Sequence, residues 1–194
     1  RVDAAVETLA ERLARGGWDT RAWINNPFLA PRNSGLDAGF RRYVDVDAGS
    51  KVHAGLSSVE AALDEIARPS GADRFLFLHL LDPHGPYSPD AASRKAFCDP
   101  SYDGPWKFPV DPDAFVDLAQ RREKTDSADR TQLRCLHEAA LAWTDGQVGR
   151  VWDAARATGR ELLFVVLSDH GEELWEHGGF EHGHSLYDEL LHVP

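Results

Sequence analysis

Two short stretches concentrate residues that can hold a metal ion or an anion. The first, His79-Leu80-Leu81-Asp82-Pro83-His84-Gly85-Pro86-Tyr87, places two histidines, an aspartate and a tyrosine within nine positions. Prolines on either side of His84 restrict the backbone and favour deliberate positioning of that ring. The bland alternative is a histidine-bearing turn held by an Asx-type bond from Asp82. The second stretch, Ser168-Asp169-His170-Gly171-Glu172-Glu173, continues through Glu176-His177-Gly178-Gly179 to His182-Gly183-His184. A carboxylate beside a neutral imidazole is a partial shell for a divalent cation, so Asp169 and His170 are candidate metal ligands. Two ligands do not close a site, and more must come from elsewhere. The alternative for this pair is an N-cap at Asp169 with an incidental histidine.

Five of the nine histidines fall between His170 and His192, and each imidazole can offer a donor to an anionic oxygen or a lone pair to a metal. His182 and His184 join His84 as candidate contacts to an anionic substrate. His192 lies in the apolar run Leu190-Leu191-His192-Val193 and reads as a packed or surface helix residue. Glu172, Glu173 and Glu176 read as a solvated helix face, since no regular ligand spacing singles them out.

The elements that must position these residues alternate along the chain. Asp3 is a candidate N-cap for a helix carrying Val6, Leu9 and Leu13 and ending at Gly16-Gly17. Thr20 to Asn25 reads as a short strand, followed by an ordered loop rich in Pro and Gly. Ser57 with Glu60 forms a capping-box pattern for a second helix bearing Val59, Leu63 and Ile66 and ending before Pro69. Arg74 to Leu81 is nearly continuous in apolar character, as expected of a strand covered on both faces. From Asp82 to about Asp113 the chain is too polar and punctuated for a regular element, although Tyr87, Phe97 and Trp106 offer anchors. Leu133, Leu136, Ala140, Trp143, Val148 and Val151 predict a long helix over Asp129 to Ala157, loosened at Gly146 and Gly149. Glu161 to Leu167 (ELLFVVL) reads as a buried strand running straight into Ser168-Asp169-His170-Gly171, where the glycine allows a sharp departure. This order predicts a three-layer α/β/α sandwich with a mostly parallel or mixed sheet, in which ligands bind beyond the carboxyl ends of strands.

Composition narrows the function classes. The 194 residues, 42% hydrophobic, suffice for one domain with a real core. A formal charge of -11, from 32 acidic against 21 basic residues, provides no basic stripe for a phosphate backbone, so nucleic acid is excluded as an expected partner. No apolar run reaches the ~20 residues of a membrane helix. Cys98 and Cys135 sit in unrelated contexts and read as incidental, forming neither a disulfide framework nor a zinc cage. There is no GxSxG, Walker loop, GxGxxG or HExxH, which removes the common serine-hydrolase, nucleotide and zincin readings. The chain has no methionine, begins at Arg1 and stops at Pro194 after an apolar run. Residues 1–194 therefore read as a single partial domain truncated at both ends.

FLFLHLLDPHGPY followed by LLFVVLSDHGEELWEHGGFEHGHSLYDELLHVP resembles the sulfatase family of the alkaline-phosphatase superfamily. The helix ending in Gly-Gly-Trp, the segment NPFLAPRNSGLDAGFRRYVDV and Asp145 follow the same order, so the resemblance covers nearly the whole chain. It implies an incomplete alkaline-phosphatase-like fold and a metal-dependent hydrolase of sulfate esters, whose substrate is a small-molecule or carbohydrate sulfate. It implies that Asp169 and His170 ligate one divalent cation, calcium first, with manganese or zinc as alternatives. His84 would contact the transferring group or protonate the leaving oxygen, and His182 would contact the anion near the place where many sulfatases carry a lysine. That departure keeps open a phosphodiesterase, a phosphonate monoester hydrolase or a phosphoethanolamine-type transferase; a noncatalytic binding domain is the alternative of another class. A periplasmic or extracytoplasmic location is likewise implied by the resemblance alone.

The family nucleophile is a formylglycine formed from Cys or Ser in Cys/Ser-x-Pro-x-Arg, or an unmodified Thr or Ser in phosphate-transferring relatives. Neither Cys98, followed by Asp-Pro-Ser-Tyr, nor Cys135, followed by Leu-His-Glu-Ala, fits that pattern, so formylglycine is expected upstream. The 194-residue chain alone is accordingly expected to be inactive. Turnover of an aryl sulfate by the purified chain, abolished by chelator, would contradict this.

Overall fold

The computed structural model of the chain describes residues 2–3, 5–46, 54–120 and 124–194. They form two compact units: Arg1–Asp82 with Thr144–Arg160, and Pro83–Trp143 with Glu161–Pro194.

In the first unit, helix α1 spans Leu9–Arg15 and starts later than Asp3 because Thr8 and Glu11 cap it reciprocally. Thr8 Oγ1 accepts from the Glu11 N–H, and the Glu11 carboxylate accepts from the Thr8 N–H at 2.8 Å. Asp3 instead closes a turn by accepting from the Ala5 N–H. Strand β1 follows at Asp19–Ile24, close to the expected position. A short 3-10 turn at Pro27–Leu29 and the single-turn helix α2, Pro31–Ser34, lead to strand β2, Arg42–Asp45, which the sequence reading did not foresee. Helix α3 spans Ala54–Ala67 and strand β3 Arg74–Leu78. Because α3 begins before Ser57, the Ser57–Glu60 pair lies inside the helix and is no capping box. Near the start of the helix, the Gly55 N–H donates to Asp82 Oδ1 at 3.3 Å.

Strand β1 is central, with β2 and β3 parallel on either side; Arg21 is opposite Arg42, and Trp23 opposite Leu78. The expected α/β class with a parallel sheet is present. Ala22, Trp23 and Ile24 of β1 and Val59, Ala62 and Ile66 of α3 are buried. Glu65, 1% exposed, lies within 2.7 Å of Arg21 and 3.3 Å of Arg68, the pairing that a buried carboxylate requires.

The second unit holds helix α4, Ala91–Phe97, inside the stretch expected to be irregular, and helix α5, Pro112–Ala119, which starts at the end of that stretch. Each is started by an aspartate: Asp90 accepts from the Ala92 and Ser93 N–H groups, and Asp111 from those of Asp113 and Ala114. Helix α6, Ser127–Ala157, runs through Gly146 and Gly149 without interruption; its residues up to Trp143 belong to this unit and the remainder to the first. Strands β4, Glu173–Leu174, and β5, Phe180–Glu181, form an antiparallel hairpin, and α7 spans Asp188–Leu191. Tyr87, Trp106, Phe115, Leu133, Leu136 and Phe180 belong to one buried apolar cluster, so two of the three expected aromatic anchors, Tyr87 and Trp106, act as such. Phe97 is exposed.

Two further expectations are corrected. Glu161–Leu167 belongs to no strand, and Leu163 and Leu167 are 89% and 71% exposed. An apolar run states what a segment would gain on burial; a strand also needs neighbours for its N–H and C=O groups, and none pairs with it among the described residues. Cys98 and Cys135 are not incidental, for they form a disulfide across 37 positions, with Cα atoms 5.2 Å apart. Their spacing carries no pairing signal; the bond arises because α4 ends beside α6.

Closing a loop of that length restricts the unfolded chain by about 4 kcal/mol. Reduction, or Cys98→Ser, is expected to lower the unfolding free energy by roughly that amount in a denaturant titration, whereas an unchanged midpoint would show that the bond carries none of the stability.

Candidate active site

The segment after residue 167 is fastened by its backbone. The Ser168 N–H donates to Pro194 O at 3.2 Å, and the Gly171 N–H to Leu190 O at 2.9 Å. A Cβ on Gly171 would lie 2.0 Å from Glu189 O, so only glycine permits this approach. Gly85 is similarly constrained, since a Cβ there would fall 2.2 Å from the Phe115 ring.

These constraints bring three of the expected histidines together. The His170 and His182 ring centroids are 3.9 Å apart, and those of His84 and His182 are 5.1 Å apart in an edge-on arrangement. Each ring has Nδ1 engaged: His84 with Gly85 O at 2.6 Å, His170 with Gly171 O at 2.9 Å, and His182 with Glu172 Oε1 at 2.8 Å. Carbonyl and carboxylate oxygens only accept, which assigns the proton to Nδ1 and leaves Nε2 of all three free. Asp169, exposed, places Oδ1 3.9 Å from His170 Nε2. With its proton committed to Nδ1, His170 presents a lone pair on the nitrogen nearest Asp169, the arrangement a metal-ligating histidine needs. Asp169 and His170 thus fit two positions of a cation's shell.

Glu172 is not on a solvated helix face, nor is Glu173; Glu172 immediately precedes β4, Glu173 opens it, and the two bind different partners. Glu172 holds His182 and accepts from the Tyr87 hydroxyl at 3.0 Å. Glu173, 1% exposed, accepts from the Gly179 and His177 N–H groups at 2.5 and 3.2 Å and from Ser185 Oγ at 3.2 Å, and pairs with His184 Nε2 at 2.8 Å. Burial pushes its carboxyl up, but these hydrogen bonds outweigh it and hold the group below 4.5. His184 therefore stands apart from the three-histidine cluster, with Nε2 engaged by Glu173. Glu176 pairs with Arg134 at 3.0 Å.

The hydrogen bond that His182 donates to Glu172 raises the His182 pKa, against the opposing effect of burial. Burial, and then the charge of Glu172, raise that of Glu181, a residue of left-handed backbone, φ 70°, at the end of β5. Non-glycine residues rarely adopt that conformation, and here it closes the short hairpin ladder immediately before His182. Glu173, His177 and Glu189 form a second candidate cation cluster, with ligand atoms all within 4.8 Å of one another. Both Glu173 oxygens are already hydrogen-bonded, so a cation would have to displace those partners. The sequence reading missed Glu172 and Glu173 as site residues; the available signal was two adjacent acids followed, at nearly equal offsets, by His182 and His184.

An α/β fold with a parallel sheet and a His/Asp cluster defines the class of the chain. A family profile described as Sulfatase matches residues 6–194, and the chain belongs to that family. It is 29% identical over 140 residues, 69% of its length, to YidJ of Escherichia coli (strain K12), described as an uncharacterized sulfatase. Crystal structures of the C-terminal periplasmic domain of EcEptC from Escherichia coli, one of them a complex with Zn, are similar over 88% of this chain, with a TM-score of 0.64 and 16% identity. That likeness shows the fold, which is alkaline-phosphatase-like. The chain spans 28% of the YidJ length and 44% of the EcEptC domain.

Glu173→Gln is expected to cost about 2 to 3 kcal/mol, because hydrogen bonds to a charged group are lost and an amide meets backbone donors. A carboxyl held below its ordinary value stabilises above pH 4.5, and that contribution disappears as pH falls through the lowered folded-state value. Urea titrations across this range should show the acid-limb loss in the parent and a shallower one in the variant.

Proposed function

We propose that the chain supplies the cation-binding and anion-binding histidine side of an enzyme that hydrolyses sulfate esters. The observation that carries this reading is the convergence of His84, His170 and His182, each with Nδ1 tied and Nε2 free, beside Asp169. Family membership and the fold support it.

In this reading Asp169 and His170 hold one divalent cation, which, when bound, offsets the charge of the nucleophile and of the nonbridging oxygens. His182, protonated on both nitrogens as its bond to Glu172 favours, donates through Nε2–H to an ester oxygen. His84, exposed, approaches the leaving oxygen through Nε2 and, when that nitrogen also carries a proton, hands it over as the S–O bond breaks, leaving the ring neutral with its proton on Nδ1. The nucleophile, for which formylglycine is the family expectation, comes from outside these 194 residues. An imidazole ligand suits zinc or manganese better than calcium, whose shells are built from oxygen, and the EcEptC domain was crystallised with Zn. The disulfide supports placement outside the cytoplasm, in keeping with the periplasmic location of the EcEptC domain. Among the described residues no helix is long and apolar enough to cross a membrane.

The same histidines also suit phosphoryl transfer, as in a phosphodiesterase, phosphonate monoester hydrolase or phosphoethanolamine-type transferase. What favours this second reading is His182, which by the family resemblance stands near the place where many sulfatases carry a lysine.

The test uses protein expressed from its complete reading frame, assayed with 4-nitrophenyl sulfate and bis(4-nitrophenyl) phosphate. Sulfate turnover that chelator abolishes and zinc or manganese restores is expected, with His84→Ala lowering kcat by about 10² or more. Turnover of the phosphodiester alone would move the assignment to phosphoryl chemistry.

A further inference from the structure

Glu172 lies between two partners that its reading as a surface acid leaves unexplained. Its side chain is only 8% exposed, and both oxygens are engaged, Oε1 with His182 Nδ1 at 2.8 Å and Oε2 with the Tyr87 hydroxyl at 3.0 Å. Tyr87, 1% exposed, packs edge-on against Phe115 at 5.4 Å and His137 at 5.1 Å, so its ring is confined. Burial, and then the charge of Glu172, push the Tyr87 pKa well above 10, which keeps the hydroxyl a donor. The other two rings of the cluster are oriented by neighbouring backbone carbonyls, whereas His182 alone depends on side chains.

We infer that Tyr87 and Glu172 are positioning residues forming a relay, Tyr87 hydroxyl to Glu172 carboxylate to His182 Nδ1, which fixes the tautomer and the ring orientation of His182. A carboxylate held at both oxygens cannot swing away from the imidazole, and the imidazole cannot flip without breaking that bond. Outer partners of this kind commonly set the tautomer and orientation of a functional histidine. The consequence for turnover rests on the ester-cleaving reading above; the tautomer does not.

The experiment is a long-range ¹H–¹⁵N correlation spectrum of the full chain, recorded above the histidine titration range, which identifies the protonated ring nitrogen. His182 is expected as the Nδ1–H tautomer in the parent. Glu172→Gln, whose amide oxygen can accept from Nδ1 while its NH₂ donates to Tyr87, should retain it. Glu172→Leu, similar in volume but without an acceptor, should revert to the Nε2–H form that an unheld imidazole favours in water. His84 and His170 should stay Nδ1–H throughout. In the intact protein, Glu172→Leu is expected to lower kcat by about 10- to 100-fold, with Glu172→Gln close to the parent. A parent His182 protonated on Nε2 overturns the inference even if no variant folds, as does a Glu172→Leu chain that folds and keeps Nδ1–H. If the intact protein cleaves no sulfate or phosphate ester, the functional reading fails while the tautomer result still decides the relay.

Discussion

Burying a carboxylate costs several kcal/mol unless its oxygens are hydrogen-bonded, and this chain withdraws two adjacent ones from solvent, Glu173 buried and Glu172 with 8% of its side chain exposed. Glu172 and Glu173, neighbours at the start of β4, bind different partners. Glu172 joins Tyr87 and His182; Glu173 gathers Gly179, His177, His184 and Ser185. Between them they fasten the histidine-rich stretch at two points. The two-residue hairpin ladder between β4 and β5 is too short to impose that order on its own.

The three clustered histidines show how one residue type acquires different constraints from its neighbours. His84 and His170 take their tautomer from the carbonyl of the following residue, a local contact that survives many rearrangements elsewhere. His182 takes its tautomer from a carboxylate ten positions away in sequence, which depends in turn on a buried tyrosine. A cluster assembled in this way has its free nitrogens determined before any anion or cation arrives, which lowers the cost of ordering them on binding. The neighbouring Glu181 adds negative charge beside the same rings, and its carboxyl is raised by burial and by Glu172.

Much of the element order was legible because it rests on local rules. Strand β1, helix α3 and helix α6 were readable from apolar spacing, and β3 from its continuous apolar run. Where those readings slipped, a neighbouring signal had been weighed wrongly. Thr8 with Glu11 is a stronger start than Asp3, and Asp90 caps a helix within the stretch expected to be irregular. The run Glu161–Leu167 failed for another reason: apolar character describes a tendency, while pairing and burial require other chain segments beside it.

The sequence by itself determined the family, the α/β class and the candidates Asp169, His170, His84, His182 and His184, because residue type and spacing along the chain carry that information. Only the tertiary structure decided which of them meet. It drew His84 to His170 and His182, turned His184 to Glu173, paired Cys98 with Cys135, buried Glu173 and left little of Glu172 to the solvent that linear patterning had assigned to both. The physical reason is that burial and hydrogen-bond partnership are properties of three-dimensional neighbourhoods. A carboxylate written next to another looks solvated until the folded chain supplies the donors that allow it to be buried.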